Sequence, residues 1–444
     1  MIIYQLYDQL KQYAELGLTA IRNIKEDISY TQLIEQINIY RNMLSEKYPE
    51  AKTIILYGDY DLRSISILWA SLMDNRIIMP ITSTLTQSLE LINLIDADLE
   101  IYSKEMKYCY HPNNKKKIII REMLEHNKSG LILLSSGTTG VPKAVLHDSD
   151  KLLKKYIYSK KRYTTIGLML FDHIAGIDTL FYVLSSGGSL IIPQEKSIDN
   201  ILTTMSQLLV EVLPASPSLI QFLLMDDRFN SNYLPSLKVI TIGSERINDN
   251  LNSRLKERFG GKVELIQKYG ITEIGTPATI TRDNDPRYIK FKSGLIDYKI
   301  DDNVLYIKSP SSMVGYLSPD QSIPFDGWFN TQDQVEVDGE WIKILGRVSD
   351  IINVGGQKVY PAEVETVLQS MDNVINVAVY GKSNLIMGSV VAAKVCLDSN
   401  ETALEFKKRM REFCKGKLET YKIPSIVEIV DEVKISDRYK KVRG

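Results

Sequence analysis

Three cysteines in 444 residues, Cys109, Cys396 and Cys414, are too few and too scattered for a disulfide framework or a cysteine-rich metal site. Reduced thiols in a cytoplasmic protein are the expectation they set. A surplus of either charge is also missing. With 54 basic and 55 acidic side chains the net charge is −1, which recommends neither nucleic acid nor an anionic membrane as a partner. The one basic run, Lys115–Lys117, reads as a solvated loop or strand edge. No stretch approaches the roughly 20 apolar residues needed to span a bilayer. The first eight residues, Met1 to Asp8, place no basic group ahead of their apolar ones, so they do not read as a signal peptide. What is present, 44% hydrophobic and 25% charged residues, is the balance of a soluble globular protein. At this length two or more domains are expected.

Short β-branched runs alternate with longer helical patterns along most of the chain. Thr53–Tyr57 and Arg76–Ile81 read as strands flanking a helix over Ile65–Met73, and Gly130–Leu134 reads as another strand. Ile166–Phe171, Ser189–Pro193, Lys238–Ile242 and Glu264–Gln267 are further buried-strand candidates, with helical spacing over Ile201–Leu213 and Leu219–Leu224. The alternation predicts an α/β body of layered, mainly parallel sheets. Beyond residue 290 the texture changes to short strands such as Val304–Lys308 and Trp341–Leu345. The last hundred residues read as a separate small α+β unit. Its elements are a helix over Pro361–Ser370, strands over Val374–Tyr380 and Ser389–Val395, and a helix with the apolar stripe Phe406, Met410, Phe413 and Cys414.

Residues 134–143 carry the chemistry most plainly. Ser135, Ser136, Thr138 and Thr139 offer hydroxyl donors, Gly137 and Gly140 admit close backbone approach, and Lys143 adds a cation. That composition suits a polyphosphate. The Walker pattern is absent, because no Gly-Lys pair closes the loop. Four further blocks follow in order: Tyr269-Gly270-Ile271-Thr272-Glu273, Gly327–Asp333, Gly346–Asp350 and Gly355–Glu365. Together they resemble the acyl-adenylate-forming enzymes, which include acyl- and aryl-CoA synthetases, peptide-synthetase adenylation domains and luciferases. This chain departs from their patterns at Ala144, Gln332, Ser349 and Tyr439.

The resemblance implies a carboxylic acid attacking the α-phosphorus of ATP, giving an acyl-AMP and pyrophosphate, with the acyl group then passed to a thiol. It implies a body over 1–348 and a mobile lid over 349–444. Ser135–Lys143 would hold phosphates, Thr272 the α-phosphate, and Glu273 a Mg²⁺ ion, a hard cation suited to oxygen ligands. A helix N-cap is the structural alternative for Thr272-Glu273. Tyr269 and Gly270 would face the adenine, as would the loop Gly243-Ser244-Glu245. Asp333, with both carboxylate oxygens free, and Arg347 would hold the ribose. Lys440, with Lys441 as the alternative, would bridge the acid and the α-phosphate, and a pantetheine arm would pass over Gly356. His173 in Phe171-Asp172-His173-Ile174-Ala175-Gly176 resembles the H-x-x-G that gates the acid pocket of CoA ligases. Glu245 instead resembles amino-acid adenylation domains. A non-amino carboxylic acid is the expected small-molecule substrate, with CoA or the phosphopantetheine of an acyl carrier protein acting in trans as acceptor. A nucleotide-binding protein without turnover and an enzyme passing its adenylate to an amine are the other readings.

Overall fold

The computed structural model describes residues 1–82, 88–111, 115–135, 143–158, 161–243, 249–292, 294–317, 322–325, 327–384 and 387–431. Among these residues the strands form four sheets. The first runs Lys107–Tyr110, Leu99–Tyr102, Thr53–Tyr57, Ile77–Ile81, Gly130–Ser135, Lys143–Asp148, Gly315–Leu317 and Ser322–Pro324. Its centre, from Leu99–Tyr102 to Gly130–Ser135, is parallel. All five residues of Ile77–Ile81 are buried, which accounts for a continuous apolar run rather than an alternating one. The second sheet runs Glu264–Gln267, Val239–Ile242, Val212–Ala215, Thr164–Ile166, Ser189–Ile191, Thr19–Arg22 and Asp27–Ser29, and is parallel except for the last strand. The third, from Thr279–Arg282 to Asp297–Asp301, is antiparallel. The fourth is built only from residues between Ile352 and Ile429 and encloses its own core around Val359, Val364, Val379, Phe406 and Met410.

Two expected elements end early, each for a local reason. The apolar spacing over Ile201–Leu213 spans both a helix, Ile198–Gln207, and the strand Val212–Ala215. Leu209 takes φ +52° and the Val210 amide bonds back to Met205 O at 3.0 Å, so the helix closes between them. The expected strand over Ile166–Phe171 stops at Ile166. Residues 167–173 then form a connection into the helix Ile174–Ser185, with Phe171 and Asp172 still buried.

The parallel strands decide where the chemistry sits. Ser135, Ala215, Gly243 and Lys268 all lie at or just past the carboxyl ends of their strands, the end where α/β sheets leave a crevice. No helix among the described residues is long and apolar enough to cross a membrane.

Candidate active site

Ser135 and Lys143 are register partners in an antiparallel pair, so the two ends of the phosphate-type loop are held together by the sheet. Ser136, Gly137, Thr138, Thr139 and Gly140 lie outside the described residues, as do Ser244, Glu245 and Lys440. Ala144, at the glycine of the family pattern, is fully buried between Leu134 and Leu317 in that sheet, where a methyl group fits.

Strand Gly315–Leu317 pairs with Lys143–Asp148 and brings Tyr316 beside the loop. The Lys143 ammonium lies 5.3 Å from the Tyr316 ring centroid, and the Tyr316 hydroxyl donates to Glu273 Oε1 at 3.1 Å. Lys143 and Glu273 therefore share one tyrosine. Burial, and then the Glu273 charge, push the Tyr316 hydroxyl above its ordinary pKa. Thr272 and Glu273 occupy a turn bridged by Ile271 and Gly275, and no helix starts there, so the N-cap reading is excluded.

His147, fully buried in the strand that begins at Lys143, ties this turn in place through Nε2 to the Thr272 carbonyl at 2.7 Å. A carbonyl only accepts, so Nε2 carries a proton, and burial favours the neutral ring. Burial depresses its pKa to about 4 from 6.5, partly opposed by backbone hydrogen bonding. The unfolded chain therefore takes up a proton that the folded one refuses. Stability from this group is complete above pH 6.5 and declines as pH falls toward 4, by about 3 kcal/mol at the limit. Urea midpoints measured across that window should fall with acid in the wild type and fall less in His147→Gln.

Tyr269, 7% exposed, donates its hydroxyl to Asp333 Oδ2 at 2.7 Å, and Arg347 Nε lies 3.6 Å from Asp333 Oδ1. Asp333 and Arg347 are register partners on neighbouring strands of the third sheet. This corrects one expectation: the Asp333 carboxylate is not free at both oxygens, although a carboxylate has lone pairs enough to accept more donors. Burial, then the Asp333 charge, raise the Tyr269 hydroxyl well above its ordinary pKa. Gln332, where the family pattern has glycine, takes φ +60°. Left-handed backbone costs a non-glycine residue about 1–2 kcal/mol, against about 0.4–1 kcal/mol for glycine's extra unfolded-state freedom. Relief of strain wins, so Gln332→Gly should raise the melting temperature slightly.

A cavity of about 100 Å³ opens beside Tyr269 and Gly270, lined among others by Leu168, His173, Gly243 and Lys268. His173 also caps the helix Ile174–Ser185 through Nδ1, which accepts from the Ala175 amide at 3.4 Å. Gly176 is demanded by packing, since a Cβ there would sit 1.9 Å from Leu170 O. Gly355 and Gly356 form the two-residue turn between Ile352–Val354 and Gln357–Val359, both with positive φ, as a tight hairpin requires. Open space surrounds Gly356, so its glycine is explained by the turn.

Residues 88–317 match the AMP-binding enzyme family, and residues 363–438 match the AMP-binding enzyme C-terminal domain. The chain belongs to the AMP-binding enzyme family. Two relatives of this AMP-binding enzyme are CoA ligases. A methyl-dioxo-octahydroindenyl propanoyl:CoA ligase of Rhodococcus jostii is 28% identical, over 68% of this chain and 61% of that protein. A 2-succinylbenzoate–CoA ligase of Bacillus licheniformis is 28% identical, over 70% of this chain and 68% of that one. In fold the chain is similar to ATP-bound MatB of Rhodopseudomonas palustris, with a TM-score of 0.80 at 18% identity, covering 98% and 97% of the two chains.

Four residues of this AMP-binding enzyme escaped the sequence reading: His147, Tyr316, Lys155 and Asp178. Only Asp178 carried a visible signal. It is the one charged residue in the otherwise apolar helix Ile174–Ser185, and such a charge needs a partner.

Proposed function

We propose that the chain is an ATP-dependent carboxylic acid–thiol ligase. It joins an acid to AMP with release of pyrophosphate and then transfers the acyl group to a phosphopantetheine thiol, that of CoA or of a carrier protein. The observation that carries this reading is that one short segment, Tyr269–Glu273, joins two groups: Tyr269 meets Asp333, which Arg347 pairs, while Glu273 shares Tyr316 with Lys143, and Tyr269 and Gly270 also line the cavity. The named CoA ligases among the relatives support it.

In this reading Lys143, with the loop 136–142, neutralises the outer phosphates, and Thr272 donates its hydroxyl to the α-phosphate. The carboxylate of Asp333 accepts from the ribose hydroxyls while Arg347 pairs with its other oxygen. Tyr269 packs against the base, and the acid enters beside His173. The donor set suits Mg²⁺ in one respect: Glu273 presents a hard carboxylate beside the phosphate loop, with one oxygen taken by Tyr316. Among the described residues no group of three or more His, Cys, Asp or Glu side chains could hold a metal, so the ion would be shared between Glu273 and the nucleotide phosphates. Bound there, it would offset charge on the triphosphate.

Residues 349–444 act as the lid that brings Lys440 or Lys441 to the acid. In the present arrangement Tyr360 donates to the Gln334 side chain, and the Gln221 and Gln369 amides exchange hydrogen bonds at 2.9 and 2.6 Å. A turning lid would break these contacts. The test is ATP–pyrophosphate exchange with a panel of acids, followed by addition of CoA, carrier protein or amines to the preformed adenylate. Exchange that depends on an acid, with AMP release on adding a thiol, is expected. ATP binding without exchange would leave a non-catalytic nucleotide-binding protein.

A further inference from the structure

The wall of the acid cavity carries two cations near one carboxylate, and they are used differently. Asp178 Oδ1 accepts from Lys155 Nζ at 2.5 Å, from Thr276 Oγ1 at 2.5 Å and from the Tyr156 hydroxyl. Lys155 Nζ also donates to the Thr276 carbonyl at 2.8 Å and to the Thr276 hydroxyl. The two charges thus neutralise each other within the wall, where an unpaired ion would be costly. Burial alone would raise the Asp178 pKa, yet Lys155 and then Lys268 hold it well below the usual carboxylate range.

Lys268 follows the strand Glu264–Gln267 and lines the same cavity as Asp178. Its backbone amide bonds to Ile242 O at 2.7 Å, but its ammonium has no ion pair or hydrogen bond among the described residues. With Asp178 already matched by Lys155, the positive charge of Lys268 has no carboxylate of its own among the described residues. A purely apolar acid closing over Lys268 would strip water from that charge and return nothing. An amino acid would bring a second cation toward it. An acid with a further anionic group would compensate it. Size limits the choice as well: about 100 Å³ is less than the roughly 150 Å³ that holds a benzene ring.

We propose that, at the site assigned above to the organic acid, the preferred substrate is a short dicarboxylic acid whose non-reacting carboxylate is held by Lys268. The proposal rests on the ligase reading and narrows it. The test is pyrophosphate exchange with propanedioate and butanedioate against butanoate, pentanoate and alanine, with longer fatty acids and aromatic acids as a second panel. The better diacid should exceed the monoacids by about 10- to 100-fold in kcat/KM, the worth of one charge-assisted hydrogen bond. Lys268→Met should bring the diacid-to-monoacid ratio close to one, mainly through KM for the diacid, and Lys268→Arg should keep most of it. Equal use of monoacids and diacids, a preference for alanine, or an equal loss for both acids in Lys268→Met would overturn the proposal. Exchange with fatty or aromatic acids alone would overturn it and leave the ligase reading standing. No exchange with any acid would overturn both.

Discussion

Asp333→Ala should weaken binding of ATP and AMP by about 10²- to 10⁴-fold. A hydrogen bond to a charged group is worth about 1.5–3 kcal/mol, and the ribose would lose two of them. The side chain is only 6% exposed, so little water is available to replace it. Its backbone is held by the Thr331 hydroxyl, which accepts from the Asp333 amide at 3.0 Å and donates to Leu305 O at 2.7 Å. The substitution therefore removes the acceptor without moving the strand. It also leaves the buried Tyr269 hydroxyl without its 2.7 Å partner, a penalty of about 1–3 kcal/mol in stability. Calorimetric titration with AMP, read beside a thermal melt, separates the two effects. Asp333→Asn keeps one acceptor oxygen and should fall between. Undiminished affinity in a folded Asp333→Ala protein would remove the ribose assignment and with it one side of the proposed site.

The second large effect is a split between half-reactions. Lys440→Ala should slow acyl-AMP formation by about 10²- to 10³-fold, the range for removing one donor from developing transition-state charge. Thioester formation from supplied acyl-AMP should persist, because the lysine's task ends once pyrophosphate has left. Lys441→Ala is the control, and the pattern exchanges if Lys441 holds the role. Pyrophosphate exchange reports the first step, and thiol-dependent consumption of synthetic acyl-AMP reports the second. Equal loss of both steps would show that the tail supports the fold or the lid, with no special part in adenylation.

The departures from the family pattern bear on whether turnover is retained. Ala144 sits where a methyl group is accommodated in the sheet, and Gln332 pays for its left-handed backbone without disturbing Asp333, whose carboxylate still meets Tyr269 and Arg347. Ser349 lies in the short 3₁₀ turn Val348–Asp350 with its hydroxyl donating to Asp350 at 3.1 Å. At these three positions the strands and the turn accommodate the departing side chain.

Much of this was legible in the chain itself. The run Thr53–Tyr57 became a strand with those bounds, because continuous β-branched and apolar residues report burial on both faces. The order of the motif blocks announced the family. Element ends were harder, as at Leu209, where a left-handed residue closes a helix without any change in apolar spacing.

Contacts between distant residues were a matter for the tertiary structure alone. His147 reaches Thr272 across 125 positions, Tyr269 reaches Asp333 across 64, and Lys155 reaches Thr276 across 121. Periodicity along a chain tells which face of an element is buried. It does not tell which neighbour covers that face, because the neighbour depends on strand order and register. The residues able to do the chemistry could therefore be named from their order in the chain, whereas the tyrosine shared by Lys143 and Glu273 and the place of Lys268 in one cavity wall with Asp178 followed only from how the sheets assemble.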